Sequence, residues 1–382
     1  MAQKKQLTFF EATAIITGYG IGGGIMTLPL LTTKTGMPVM LGLLAAGFFI
    51  SLLMHLMIAE IILRDGDNNQ MVELFQKYIF KNRPAVFTWI IFSLIAFAFL
   101  ASLSAYIAGG GRIISDLFAL PLFAGQLIFY AIAAGVVFFG LKALGISEKY
   151  GVLIILAIVL AFAVGCFSVP FEPRFEVIGA AGNYLKLFGM IMFSFFAIFS
   201  VPQVALGLDH NKKLIPRAIT LGIAINAFII TSIVLMTTSV SREVDEVAII
   251  TLGRALGPWA SITGSVFIVF AMLTSYWAVS YALATVIEER LKTAPRSSWL
   301  IATLPSFALV ILFSRGFLDF LEMASGAIAL LVALMVIPLF NAVRREGRII
   351  NPEFQLTSLG TAAFQLVVVA GYLAMAVGSV LP

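Results

Sequence analysis

Gly18-Tyr19-Gly20-Ile21-Gly22-Gly23-Gly24-Ile25-Met26-Thr27-Leu28-Pro29 puts five glycines within seven residues, in the middle of an apolar run long enough to cross a bilayer. Glycine costs roughly 1 kcal/mol relative to alanine inside a helix. Backbone freed from a helix in hydrocarbon finds no water to bond, so it persists only where it is buried in protein or lines a cavity. Tight helix packing asks for a small residue every fourth position, not five glycines in seven. The stretch therefore reads as an unwound binding segment, and the rest of the chain is read outward from it.

The surroundings are those of a membrane protein. Of 382 residues, 61% are hydrophobic and 11% charged, with a mean hydropathy of +1.05; soluble domains carry about 25% charged residues. Eleven apolar runs have the roughly 20 residues needed to span a hydrocarbon core. They cover about 10–33, 38–63, 84–113, 120–141, 150–170, 184–208, 215–239, 258–287, 299–313, 317–342 and 357–380. The first is too long for a signal peptide and lacks a clear cleavage site. No run of sequence is left over for a soluble catalytic domain.

Most of the 24 Lys and Arg fall on the side of the N-terminus, among them Lys4, Lys5, Arg64, Lys142, Arg290 and Arg344. That bias predicts a cytoplasmic N-terminus and an external C-terminus. It also accounts for the net charge of +5 without a nucleic-acid partner. One cysteine, Cys166, excludes an intrachain disulfide. Two distant histidines, His55 and His210, argue against a metal centre or a Ser-His-Asp arrangement.

Loop lengths repeat. A very short link near Lys34 joins runs one and two, and a short one near His210 joins runs six and seven. The next connection is long in both halves, 64–83 and 240–257. Each holds a helically spaced apolar stretch, Met71 to Ile79 and Val247 to Leu256, that predicts a helix lying on the membrane surface. Five runs per half is an odd number, so the halves insert in opposite directions, the plan of many secondary transporters. The expected fold is an all-α polytopic membrane protein of 11 transmembrane helices. It is a five-plus-five inverted repeat, about 8–170 and 183–343, with helices 1 and 6 broken and one extra C-terminal helix, about 356–381. Run six supports this, because Phe193-Ser194-Phe195-Phe196-Ala197-Ile198-Phe199-Ser200-Val201-Pro202 contains a proline that cannot donate its backbone bond.

At these two segments the sequence resembles the amino acid/polyamine/organocation superfamily, and within it the amino acid/auxin permeases and the bacterial hydroxy and aromatic amino acid permeases. Gly18, Ile21, Gly22, Gly24, Leu28, Pro29 and the following Gly36 match their first-helix signature. In run six the bacterial aromatic permeases tend to show Ser-Phe-Gly-Phe-His-x-x-Ile-Pro. Here Phe196 replaces the glycine and Ile198 the histidine, followed by Val201 and Pro202. Added side chains at that point predict a narrower pocket and a small to medium hydrophobic substrate.

An amino acid presents a carboxylate and an ammonium at fixed separation. The start of the second half-helix offers free N–H groups and a positive dipole end, so the amides of Gly22, Gly23 and Gly24 are the carboxylate candidates. Carbonyls around Gly20, with Phe193, Ser194 and Phe196, suit the ammonium. Tyr106, by analogy with a tyrosine that relatives of this fold carry in helix 3, is a hydroxyl donor to the carboxylate. Pocket walls are expected from Tyr19, Ser102, Phe195, Phe196, Phe199, Met272, Ser275 and Val279. No carboxylate lies mid-membrane in runs one, three, six or eight, so the substrate is expected to be neutral.

The spacing Ala271-x-x-Thr274-Ser275 resembles the second sodium site of sodium-coupled members of this fold. That resemblance implies Na+ ligation by Ala271, Thr274 and Ser275 with the carbonyls of Gly18 and Ile21. Sodium-independent relatives can place a lysine from helix 5 there, and run five has no basic residue from Gly151 to Phe167. Proton coupling on the same fold is the alternative, and a titratable membrane group would then come from His55, Glu60, Asp209 or Glu322. The sequence thus points to a secondary active amino acid transporter of the cell membrane with Na+ as coupling ion, lipids as surroundings and no obligate protein partner. It does not point to an enzyme: one working on lipid-linked substrates would show clustered titratable residues at one membrane face.

Overall fold

The structure is a computed structural model that describes residues 6–22, 24–81, 83–245, 247–313, 320 and 335–380. Among these the chain is helical almost throughout. The helices are α1 (Phe9–Gly20), α2 (Gly24–Thr33), α3 (Met37–Asp65), α4 (Met71–Phe75, continued by a turn of π-helix over Gln76–Phe80), α5 (Val86–Phe118), α6 (Leu122–Phe138), α7 (Leu141–Cys166), α8 (Ala181–Ser194), α9 (Val201–Gly207), α10 (Ile215–Val240), α11 (Ala248–Leu256), α12 (Pro258–Leu291), α13 (Pro295–Phe313), α14 (335–346) and α15 (Ala362–Val380).

Local chemistry sets the boundaries. Thr8 caps α1 in a reciprocal box: its Oγ1 accepts from the Glu11 amide at 3.3 Å, and the Glu11 carboxylate accepts from the Thr8 amide at 2.8 Å. Gly36, Gly140 and Gly257 each take a positive φ immediately before α3, α7 and α12, a turn that other residues resist. Pro38, Pro216 and Pro258 sit in the first turns of their helices, where a missing N–H leaves nothing unpaired.

Nine spans among the described residues are long and apolar enough to cross a membrane, counting α1 and α2 as one span bent by 53° and α8 with α9 as another. The sequence expectation of eleven differs at two places. Helix α6, at 17 residues, lies at the short end of the spanning range. The tenth run falls largely outside the described residues, which show only its end, α14. Both surface stretches are helical, as α4 and α11.

Burial separates centre from rim. In the 18-residue window that defines each span, 89% is buried for α8–α9 and 78% for α12, against 28% for α15. The halves of the first span are equally central: α1 packs on α7, α10 and α12, and α2 on α8 and α10. The rim helices expose large apolar groups such as Leu153, Leu160, Leu312 and Leu366, as surfaces facing hydrocarbon do.

The run-five boundary differs most from the sequence reading. Helix α7 begins at Leu141, nine residues before the apolar run expected from Tyr150. Its first turns carry charge without interrupting the helix. Lys142 Nζ is 2.6 Å from the Glu11 carboxylate on α1, and Lys149 Nζ lies 4.7 Å from the centre of the Tyr150 ring.

Candidate substrate and cation site

Two breaks face each other at the centre of the bundle. Helix α1 stops at Gly20 and α2 starts at Gly24; α8 stops at Ser194, and a 3-10 turn over Ile198–Ser200 leads into α9. Their separation is too small for side chains on the glycine strand. A Cβ at Gly20 would overlap the Asn226 amide and stand 2.7 Å from the Ser194 carbonyl oxygen. One at Gly24 would overlap the Ser194 hydroxyl. One at Gly22 would stand 2.8 Å from Ser275 Oγ and 3.0 Å from Tyr106 Oη. Glycine is needed here for the close approach of protein groups from neighbouring helices, the packing role that five glycines in seven argued against.

Between the breaks lies a cavity lined by Tyr19, Gly20, Gly22, Ser102, Tyr106, Phe193, Phe196 and Val279. It has room for about one water molecule. Tyr19 and Phe196 close it edge to face, with ring centres 6.2 Å apart. Eight of the residues expected at the site therefore meet around one space. Tyr106 is 3% exposed, deep in the bundle rather than in an interfacial belt, with its hydroxyl against Gly22. The Gly22 amide takes no hydrogen-bond partner among the described residues. Gly23 lies outside them.

Other expected wall residues stand back from the cavity. Phe195 is turned away: its ring meets Phe48 at 6.2 Å and its carbonyl accepts from Ser51 Oγ at 3.2 Å, both on α3. Phe199 is a layer behind Phe196, packed on Phe99 with ring centres 4.7 Å apart. Met272 is buried but does not line the space. The Ser194 hydroxyl returns to Met190 of its own helix at 2.9 Å. The Ser194 carbonyl, expected to be free for an ammonium, accepts from Asn226 Nδ2 at 2.6 Å. Asn226, whose Nδ2 lies against Gly20, is then left with a buried Oδ1 that has no partner among the described residues.

The second break is held by α3. His55 Nε2 accepts from the Ala197 amide at 3.0 Å. A backbone N–H can only donate, so the ring proton is on Nδ1, which donates to the Ser51 carbonyl at 2.6 Å. With both nitrogens engaged, His55 pins the second break to α3. Glu60 is likewise fixed, accepting from Arg64 Nε at 2.8 Å, Arg344 Nε at 2.9 Å and the Leu356 amide at 2.7 Å. Asp209 is exposed and pairs with Lys212 at 3.4 Å. Glu322 lies outside the described residues.

The expected sodium ligands cluster, with their groups turned on one another. Ser275 Oγ donates to the Gly18 carbonyl at 3.0 Å and reaches the Tyr19 carbonyl at 3.3 Å. Thr274 Oγ1 donates within α12, to the carbonyls of Phe270 at 3.0 Å and Ala271 at 3.1 Å. Ile21 is buried at the end of α1, its amide bonded to the Thr17 carbonyl at 3.2 Å. A group absent from the sequence reading enters beside them: the carboxylate of Glu148, from α7, overlaps the position a Cβ at Gly18 would take.

A bundle of apolar spans, two of them interrupted opposite each other around a small closed space, defines a membrane transporter rather than an enzyme. The particular family follows from the sequence: the model of the tryptophan/tyrosine permease family matches residues 5–378, and the chain belongs to that family. A relative, the tyrosine-specific transport system 1 of Haemophilus influenzae, is 26% identical over 362 residues, covering 87% of this chain and 88% of that protein. Solved structures share the fold at low identity. Mhp1, a nucleobase-cation-symport-1 transporter in a closed conformation with bromovinylhydantoin bound, gives a TM-score of 0.70 at 13% identity, covering 98% of this chain and 91% of that one. MhsT in complex with L-phenylalanine gives 0.63 at 14% identity, covering 97% and 99%. The manganese transporter of Eremococcus coleocola gives 0.65 at 12% identity, covering 97% and 85%. The chain is thus a multi-pass amino acid permease. Its aromatic family matches one of the two permease groups that the glycine signature resembles.

Proposed function

We propose that this permease takes up a neutral amino acid across a bacterial inner membrane by alternating access, with its N-terminus cytoplasmic and an inward Na+ gradient driving accumulation. The observation that carries the reading is the pair of facing breaks, where the Gly22 amide, unpaired among the described residues, and the Tyr106 hydroxyl stand on one side of the cavity. On this reading they bind the carboxylate, the Gly20 end of α1 and Asn226 Oδ1 bind the ammonium, and rocking at the breaks opens the site to either face.

For the side chain we propose an aromatic ring. The residue changes at 196 and 198 pointed to something smaller, and the closed cavity sets no upper limit, because Tyr19, Phe193 and Phe196 must part for any substrate to enter. The name of the family and that of the H. influenzae relative support a ring. Sodium coupling is supported by the hydroxyls of Thr274 and Ser275 beside the Gly18 carbonyl, an oxygen-only donor set suited to a hard cation.

The test is uptake into proteoliposomes of labelled tyrosine, tryptophan, phenylalanine, leucine and alanine, under an imposed Na+ or H+ gradient. Accumulation of the aromatic substrates under Na+ is the expected result. Accumulation of alanine or leucine alone would replace the substrate, and drive by H+ alone would remove sodium.

A further inference from the structure

Glu148 is fully buried. Neither of its oxygens accepts a hydrogen bond, and no basic side chain lies within 4.0 Å of it, among the described residues. A carboxylate taken out of water without partners is among the most unfavourable arrangements a protein can hold, and it persists only if something neutralises it.

The fold drives this residue to its position. Gly145, Glu148 and Gly151 follow one another at intervals of three and share a face of α7. The two glycines bring that face close to its neighbours. A Cβ at Gly145 would stand 2.5 Å from Leu7 Cδ2 and 3.1 Å from Glu11 Cβ, and one at Gly151 would stand 2.7 Å from Thr274 Cγ2. Between them the Glu148 side chain reaches the first break. Its Oε2 overlaps the position of a Cβ at Gly18, and Thr274 Cβ lies 2.9 Å from that same point. The carboxylate, the Gly18 backbone and Thr274 therefore converge at one spot, beside the Ser275 hydroxyl that already binds the Gly18 carbonyl. The side-chain atoms gathered there that can bind a cation are oxygens, and one of the groups is a carboxyl, which carries a full negative charge when ionised.

We propose that Glu148 is the anionic ligand of the coupling cation. The proposal rests on the cation-coupled reading above and names a residue that reading does not contain. A monovalent cation there cancels the charge of the ionised carboxylate and ties α7, α12 and the glycine break of the first span together. It also supplies a coupling logic. Lys142 and Glu11 pair on the same two helices, six residues or roughly 9 Å along α7. When α1 swings away from α7 that pair opens, the Glu148 carboxylate meets water, and the cation leaves on that side.

The test compares wild type with E148Q and E148D, using labelled tyrosine in proteoliposomes under Na+ or H+ gradients, and melting in detergent with and without Na+. Glutamine keeps the shape and removes the charge. In E148Q, accumulation should fall to simple equilibration and Na+ activation should weaken by at least about tenfold. Its melting temperature in Na+-free buffer should equal or exceed that of wild type, and the upward shift produced by Na+ should vanish. E148D should retain that shift at higher Na+ concentrations. E148Q that accumulates tyrosine with unchanged Na+ dependence overturns the proposal. So does E148Q that melts below wild type in both buffers, because Glu148 is then structural. Wild type driven by H+ alone, with that drive lost in E148Q, removes sodium from the proposed function and leaves Glu148 as the coupling residue.

Discussion

The two breaks solve the same problem in opposite ways. In the second, the freed backbone is tied to side chains of neighbouring spans: the Ala197 amide to His55, the Phe195 carbonyl to Ser51, the Ser194 carbonyl to Asn226. In the first, among the described residues, a single serine reaches the carbonyls of Gly18 and Tyr19, the Gly22 amide is unpaired, and a carboxyl without a partner stands alongside. Buried polar groups are nearly always satisfied. A break satisfied in advance is therefore scaffold, while one left with unmet demands is where ligands complete the structure.

If that division holds, changes at the two breaks separate binding from stability. The largest effect is expected at the first. Gly22→Val forces carbon against Ser275 Oγ and Tyr106 Oη. Overpacking of this kind costs about 1–3 kcal/mol; met at the mouth of the cavity as substrate enters, that is roughly fivefold to 150-fold in substrate affinity, read by equilibrium binding of labelled tyrosine. Unchanged affinity would remove the first break as the carboxylate site.

At the second break the loss should appear in folding instead. His55→Ala leaves the Ala197 amide buried without a partner, which costs about 1–3 kcal/mol. The melting temperature should fall while tyrosine affinity changes less than in Gly22→Val. If His55→Ala instead abolishes binding in a protein that melts normally, the second break is a ligand site as well, and the contrast fails.

Both breaks were legible in the sequence, because glycine and proline act on the backbone itself and leave a mark wherever they fall in an apolar run. The side chains that distinguish the breaks were not. His55 was visible as a lone polar group, but its role depends on facing Ala197, 142 residues away. Asn226 is an amide in the middle of an apolar span, and such a residue is a functional candidate by default; that signal was present and unused. Glu148 was hidden by the hydropathy boundary. Lys142, Glu148 and Lys149 put residues 142–149 between two apolar runs, whereas α7 carries them on faces that only packing distinguishes. Phe195 and Phe199 stand back from the cavity in a way the sequence did not foretell, since a broken helix has no fixed period from which to infer a facing side.

The smallest effect belongs to a region where charged side chains pair with one another and water is close. Helix α4 and its π-helical turn dock on the membrane-side ends of α3 and α12. Lys77 Nζ lies 2.6 Å from Asp65 and 3.1 Å from Asp67, and Arg290 lies 3.2 Å from Glu73. The hydrogen bond from Lys77 holds the Asp67 carboxyl below its ordinary range. For Lys77, burial opposes the charge, but the bonds to Asp65 and Asp67 outweigh it and raise the ammonium above its ordinary value. A lowered acid contributes stability above its unfolded value, about 4, and loses it as pH falls through the folded one; a raised base loses its contribution only as pH rises through its own folded value. Within the working range only the acid limb is felt. The protection of amides over residues 71–80, taken as the intrinsic exchange rate at each pH divided by the observed one, should therefore fall between pH 5 and pH 3, by about fivefold at most for exposed pairs, and Asp67→Asn should remove part of that fall while leaving tyrosine binding unchanged. A much steeper fall, or a loss of binding with it, would mean that this docking is coupled to the first break, and that the unmet demands there extend beyond Glu148 and Gly22.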